Sequence, residues 1–345
     1  MASGPIALSL STGRMNSNFG RSVSGEARRC AGPDERIGTG DTQIGLLSAY
    51  ARQFRTRMVI WIDDAKTMDA RLQRRIQRYG WDLAADDYEP LWQAQLAEAQ
   101  ALLMALASPA PGDQVLDVAC GSGRVSLEAA RAVGPDGHVV GVDISGRMIS
   151  AAERRARETK LSNCSFTRMD AETLDLRDAT FDLVLCALGL MYMPNPEQAL
   201  REMLRVLRPG GRVSLAVWGE RSKCGWSGLF PIVDAEVASE VCPLFFRLGQ
   251  QDALARLCAE AGFEAIEHRR ISTTLNFADA TDACNAAFVG GPVALAWSRF
   301  SDEVRARVRT DYVNSIGNWR IGNGFGIPGE FVIAAAAAPR GFITN

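Results

Sequence analysis

Histidine is almost missing from this chain: His138 and His268 are the only two in 345 residues. Two isolated imidazoles do not make a histidine metal centre, and neither lies in a motif that pairs it with a nucleophile. The eight cysteines (Cys30, Cys120, Cys164, Cys186, Cys224, Cys242, Cys258 and Cys284) include no CxxC pair and no nearby histidine. A zinc site and a redox dithiol are therefore unsupported, and no metal is expected. Cys120, Cys164, Cys186 and Cys258 fall in apolar strand or helix patterns, where a thiol packs as a small hydrophobe. No apolar run approaches the roughly 18 residues that a membrane span needs. An excess of basic charge is also lacking, since the net charge is -2, so nothing draws the whole chain toward nucleic acid. With 47% apolar and 23% charged residues, the chain can build a core without covalent staples. The expectation is a cytoplasmic protein that handles a small molecule, with no nucleic-acid partner and no stable membrane insertion. Composition says nothing of its oligomeric state.

The most informative stretch is VLDVACGSGR, Val115 to Arg124. An apolar run, a Gly-rich turn and a helical pattern from Ser122 read as strand, turn and helix at the opening of an α/β nucleotide-type site. Gly121 and Gly123 let the backbone approach a ligand closely and adopt φ values that other residues avoid. A dinucleotide site would place bare N–H groups and a helix N-terminus against a pyrophosphate, and a carboxylate beside that anion would repel it. Asp117 therefore points to a ligand that carries positive charge. Ser126 occupies the third glycine position of the dinucleotide fingerprint, which argues the same way. About twenty residues on, VVGVD (Val139 to Asp143) reads as a second buried strand ending in an acid placed to accept from ribose hydroxyls. Together these features suggest an adenosine with a cationic amino-acid tail, which describes S-adenosylmethionine.

The stretch from about Val115 to Val217 resembles the class I S-adenosylmethionine-dependent methyltransferases, in particular the ubiquinone/menaquinone-biosynthesis (UbiE-like) type. Besides the Gly-rich turn and the acid after strand two, it has FDLV (Phe181 to Val184), a helix from Asn195 to Leu207, and RPGG (Arg208 to Gly211) leading into RVSLAVW. The resemblance implies a Rossmann-like α/β fold: a doubly wound, mostly parallel seven-stranded sheet with helices on both faces and helical lid insertions. In that family the last strand is antiparallel and lies beside the fifth. The resemblance also implies that S-adenosylmethionine is held by Asp117, Ala119, Gly121 and Gly123, by Asp143, Ile144 and Met148, by Asp170 and Ala171 near the adenine, and by Ala187.

Alternating strand and helix patterns agree with a parallel sheet. Ser122, Ser145 and Asn195 are placed to cap three helices, and Pro196 suits the first helical position. Strands are expected at about Ser165 to Arg168, Leu183 to Ala187, Arg212 to Val217, Ile266 to Leu275 and Phe331 to Ala337. Residues 1–66 are expected to form a poorly ordered extension: the first forty or so are rich in Ser, Gly and Arg and poor in acids, as in a transit peptide or a solvated tail. Residues 67–345 are expected to form the methyltransferase domain, with insertions 219–250 and 278–330 as a substrate lid.

Methyl transfer from a sulfonium is an in-line displacement with a neutral thioether leaving group, so alignment and water exclusion do much of the work. If the acceptor is a hydroxyl or amine, an acid or Tyr192, with a shifted pKa, is the candidate to take its proton. The stretch ALGLMYM, Ala187 to Met193, should lie beside the methyl group. Its Met191 and Tyr192, with Tyr79, Trp81, Tyr88, Trp218 and Trp226, are candidates for contact with a small aromatic or quinone-like acceptor. The other readings are a phospholipid head-group N-methyltransferase, a nicotinamide-dependent oxidoreductase, or a partner-binding protein that keeps the cofactor fold without turnover.

Overall fold

A computed structural model describes residues 69–237 and 244–341 of the chain. The expected N-terminal extension lies outside the described residues, as do Cys30 and Cys242.

Five parallel strands form one side of the sheet: β1 (Gln114–Val118), β2 (His138–Asp143), β3 (Cys164–Arg168), β4 (Phe181–Ala187) and β5 (Leu207–Trp218). The spatial order is β3-β2-β1-β4-β5-β8-β6, with β8 (Gly324–Ala337) antiparallel between β5 and β6 (Glu264–Phe277). A two-residue strand, β7 (Arg320–Ile321), pairs with the start of β8, so the sheet has eight strands rather than the expected seven. β1 and β4 are mostly apolar because both their faces are covered; Val115, Leu116, Leu183, Val184 and Leu185 have no exposed surface. The chain order reverses between β1 and β4, and a doubly wound sheet opens its ligand crevice beyond the C-terminal ends of strands at such a switch.

The helices that border this crevice begin where local chemistry dictates. Ser145 accepts from Met148 N–H at 3.1 Å and starts α4 (Gly146–Glu158); Asn195 accepts from Gln198 N–H at 3.0 Å and starts α5 (Pro196–Val206). Ser122 departs from expectation. The cap of α3 (Arg124–Val133) is Gly123, at φ 82°, and the Ser122 hydroxyl donates instead to Glu89 at 2.7 Å. A carboxylate is the stronger acceptor for that hydroxyl than a neutral partner would be.

Ahead of β1 lie two helices, α1 (Ala70–Ala84) and α2 (Tyr88–Ala107). In the insertion expected at 219–250 lies a short helix, α6 (Leu229–Asp234), followed beyond the insertion by α7 (Ala253–Glu260). The insertion expected at 278–330 holds α8 (Ala280–Phe288), α9 (Ala294–Arg299) and α10 (Asp302–Ser315), but its last residues belong to the sheet. β8 starts at Gly324, and its ladder to β6 runs through Gly326, Pro328 and Gly329. Gly and Pro ordinarily punctuate strands, which is why the sequence pattern starts this one too late.

Candidate cofactor and acceptor site

The C-terminal ends of β1 to β5 open into one cavity of about 1020 Å³, part of it open to solvent. Its floor carries Ala119 and Gly121 from the turn after β1, Asp143 and Ile144 at the end of β2, and Asp170 to Glu172 after β3. Leu188, Gly189 and Met191 to Pro194 follow β4, Trp218 ends β5, and α1 and α2 cover the opening with Arg74, Gln77, Trp81, Tyr88 and Trp92.

The turn after β1 is bent for close approach. Gly121 has φ 54°, and Ala119, which lacks glycine's freedom, has φ 56°. Leu188, after the neighbouring strand β4, has φ 63°, so two non-glycine residues on the cavity wall sit in the left-handed region. Each such residue stores on the order of 1 kcal/mol, and strain of this kind collects where a site fixes the backbone. Gly189 completes the contact: a Cβ there would lie 2.4 Å from that of Ala119.

Asp143 is the hinge of the polar half. One of its oxygens accepts from Gly121 N–H at 2.9 Å and the other from Ser145 N–H at 2.8 Å, so the carboxylate joins the Gly-rich turn to the start of α4. Burial pushes its pKa up to about 6, against the pull of the Ser145 and Gly121 N–H groups. Each oxygen keeps a lone pair for a further donor, as a ribose diol requires.

Asp117 stands behind this wall rather than on it, with 1% of its surface exposed. Its Oδ2 accepts from the Ser126 hydroxyl at 2.5 Å, and its Oδ1 has no hydrogen-bond partner among the described residues. Burial pushes its pKa up to about 7, with Ser126 opposing and Asp143 adding to the rise. Asp117 thus lies beneath the turn rather than on the cavity wall, and Asp143 takes the position at the surface. Gly123 is also off the wall; a Cβ there would lie 2.8 Å from Ala152, so its glycine serves helix packing. Tyr79 is the third departure: it is 46% exposed and outside the cavity.

The other expected residues are brought together. Ala119, Gly121, Asp143, Ile144, Met148, Asp170, Ala171 and Ala187 line the cavity, as do Trp81, Tyr88, Met191, Tyr192, Trp218 and Trp226. Sequence reasoning missed the ties that hold the cover down. Arg74 on α1 reaches Asp170, 3.1 Å from its Nε, and Glu172, which also accepts from Asn195 N–H at 2.9 Å. Asp82 accepts from the Ser145 hydroxyl at 2.6 Å, and Glu89 on α2 accepts from Ser122 and pairs with Arg155 at 3.0 Å. These partners lie from 23 to 98 positions apart, beyond any local spacing rule.

The far half of the cavity is aromatic. Trp81 meets Tyr88 and Tyr192 edge-on at 5.4 and 5.2 Å between ring centres, and Tyr192 meets Phe245 at 5.2 Å. Trp226 joins Phe245, Trp218 and Trp92 at 5.6, 4.8 and 6.1 Å. Burial, with the charges of Glu89 and Asp143, holds the Tyr88 phenol well above its usual range, so it remains a hydrogen-bond donor at neutral pH. Neither histidine takes part: His138 meets the Ser165 hydroxyl at 3.0 Å, and His268 lies 3.3 Å from Asp252.

This geometry has relatives. A family model described as a methyltransferase domain matches residues 109–242. The ubiquinone/menaquinone biosynthesis C-methyltransferase UbiE of Pseudomonas paraeruginosa is 30% identical over 206 residues, covering 55% of this chain and 78% of that protein. The chain belongs to the UbiE-type S-adenosylmethionine-dependent methyltransferases. It is also 37% identical over 119 residues to the demethylmenaquinone methyltransferase of Listeria welshimeri, covering 34% of this chain and 50% of that protein. The chain therefore spans about half the length of that relative. A methyltransferase-like structure from Bacillus halodurans shares the fold, with a TM-score of 0.51 and 21% identity over 70% of this chain and 99% of that one.

The cofactor of the UbiE-type methyltransferases is S-adenosylmethionine, and the site fits it. Asp143 faces the cavity with lone pairs to spare, the turn at Gly121 leaves room for close approach, and the unpartnered Asp117 oxygen suits a cationic group above it. The two acids also make binding pH-dependent. Both titrate above the 3.9 or so of an unfolded aspartate, so their contribution to the stability of the cofactor-free protein is complete below about pH 4 and lost as pH rises through 6 and 7. A cationic ligand favours the ionised pair. Affinity for S-adenosylmethionine is therefore expected to rise between pH 5.5 and 7.5, by up to about tenfold per pH unit for each group, with protons released on binding. Calorimetric titration in buffers of different ionisation enthalpy measures that release, and a pH-independent affinity would remove the linkage.

Proposed function

We propose that this protein transfers the methyl group of S-adenosylmethionine to a small, uncharged aromatic or quinone-like acceptor by in-line displacement. The observation that carries the reading is the division of the cavity. Its carboxylates stand at the ends of β2 and β3, whereas the stretch after β4 and the end of β5 present Tyr192, Met191, Trp218 and Trp226. The cofactor supplies an electrophilic methyl on sulfur and leaves as a neutral thioether. The chain's own residues hold, align and exclude water: Asp143 fixes the ribose end, Asp117 supplies negative charge from below, and the rings of Trp81 and Tyr88 close the site from α1 and α2. Tyr192 is our candidate to orient the acceptor; to receive the acceptor's proton, its phenol would first have to be ionised.

A phosphorylated amine acceptor fits less well. Arg74 is the one cation lining the cavity among the described residues, and it is already engaged by Asp170 and Glu172. The aromatic residues in the far half of the cavity agree with the relatives, a demethylmenaquinone methyltransferase and a ubiquinone/menaquinone biosynthesis C-methyltransferase. The test is incubation with deuteromethyl-labelled cofactor and a panel of quinols, phenols and phospholipid head groups, followed by mass spectrometry. A labelled quinol or phenol supports the reading; label carried only on phosphoethanolamine compounds overturns it.

A further inference from the structure

Helix α1 is inverted relative to an ordinary surface helix. Its buried positions are Gln73, Gln77, Gly80 and Ala84, while Leu72, Tyr79 and Leu83 are 39, 46 and 44% exposed. At about 100° per residue, Leu72, Ile76, Tyr79 and Leu83 fall within an arc of roughly 60°. Three of the four large apolar side chains exposed among the described residues lie on this one helix. Arg75 and Arg78 run along one side of that stripe, and the Arg78 guanidinium rests 5.5 Å from the centre of the Tyr79 ring. The helix's own acid, Asp82, is occupied by the Ser145 hydroxyl and Arg147 N–H. The patch is local, since the chain as a whole carries -2.

We propose that the outer face of α1 docks on an anionic lipid surface. A narrow apolar stripe with arginines beside it and a tyrosine in it matches a helix lying in the headgroup plane: apolar side chains enter the acyl boundary and guanidinium groups meet phosphates. No helix among the described residues is long and apolar enough to cross a membrane, so the contact is in-plane. The opposite face of the same helix supplies Arg74, Gln77 and Trp81 to the cavity. Docking therefore sets the roof of the site against the bilayer, where an apolar acceptor partitions. The proposal stands on the helix itself and holds whichever acceptor is used.

Flotation of the full chain with vesicles tests it, using phosphatidylcholine alone and phosphatidylcholine with about one third phosphatidylglycerol. The expected result is flotation with the anionic vesicles, weakened by salt, and little with the neutral ones. Arg75→Glu should lower the partition coefficient at least about fivefold, the worth of one basic side chain at such a surface, and Leu83→Glu by a similar factor or more. Both variants should keep wild-type affinity for S-adenosylmethionine, which separates docking from the cofactor site. Absence of flotation, or equal flotation of all three proteins, overturns the proposal. So does a fall of several degrees in melting temperature for Leu83→Glu, which would show the stripe covered by the chain's own preceding residues. A concentration-dependent dimer abolished by Leu83→Glu would assign the face to a second copy and overturn it equally.

Discussion

Asp143→Ala is expected to weaken S-adenosylmethionine binding by tenfold to several hundredfold, measured by titration calorimetry at pH 8. The carboxylate does two jobs that alanine cannot. It offers charged acceptors toward the cavity, each worth about 1.5–3 kcal/mol when lost, and it ties Gly121 and Ser145 in place through their N–H groups. Folding should suffer less than binding. A carboxyl whose pKa burial has pushed up to about 6 is ionised at pH 8 at the expense of the fold, so its removal relieves that burden while it releases two backbone anchors. Asp143→Asn separates the two roles, because an amide keeps one acceptor oxygen but no charge. Its affinity should fall between those of wild type and alanine. Unchanged affinity in both variants would remove Asp143 from the cofactor site.

Trp226→Ala should show the largest loss of stability, on the order of 10 °C in melting temperature. The side chain is 2% exposed and touches Trp92, Trp218, Phe230, Phe245 and Phe246 with ring centres between 4.8 and 6.1 Å. Truncating a buried tryptophan costs about 3–5 kcal/mol, because the transfer energy is lost and the surrounding rings collapse only partly into the space. Trp226→Phe is the informative partner. The indole Nε1 is buried with no hydrogen-bond partner among the described residues, so phenylalanine discards an unsatisfied donor along with part of the ring. It should recover most of the stability. If the wall it builds receives the acceptor, Trp226→Phe should raise KM for the acceptor and leave cofactor affinity unchanged.

Much of the fold was legible because its signals are local. The strand-turn-helix at Val115 to Arg124, the Asn195-Pro196 helix start and the buried runs of β1 and β4 are short patterns whose physics needs no distant partner. Two of the cavity's carboxylates were equally legible, since Asp143 ends β2, Asp170 follows β3, and a doubly wound sheet brings strand ends together. The failures share a cause. Ser122 looked like a cap until Glu89, 33 positions earlier in the chain, offered a charged acceptor. β8 looked shorter because Pro328 and Gly329 break the strand pattern, yet the neighbouring β6 supplies a full ladder that carries them.

The sequence by itself determined the class of protein, most of the residues that line the cavity beyond the ends of β1 and β2, and the presence of aromatic side chains on its wall. Each follows from residue type at short spacing. Only tertiary structure decided that Asp117 in β1 and Ser126 in α3, on either side of the Gly-rich turn, are hydrogen-bonded to each other beneath the wall, and that Arg74 and Glu172 fasten the cover. It likewise decided that α1 keeps its glutamines inward and its leucines outward. The physical reason is that a hydrogen bond or a buried face is a property of two surfaces, and the chain places the second surface tens of residues from the first.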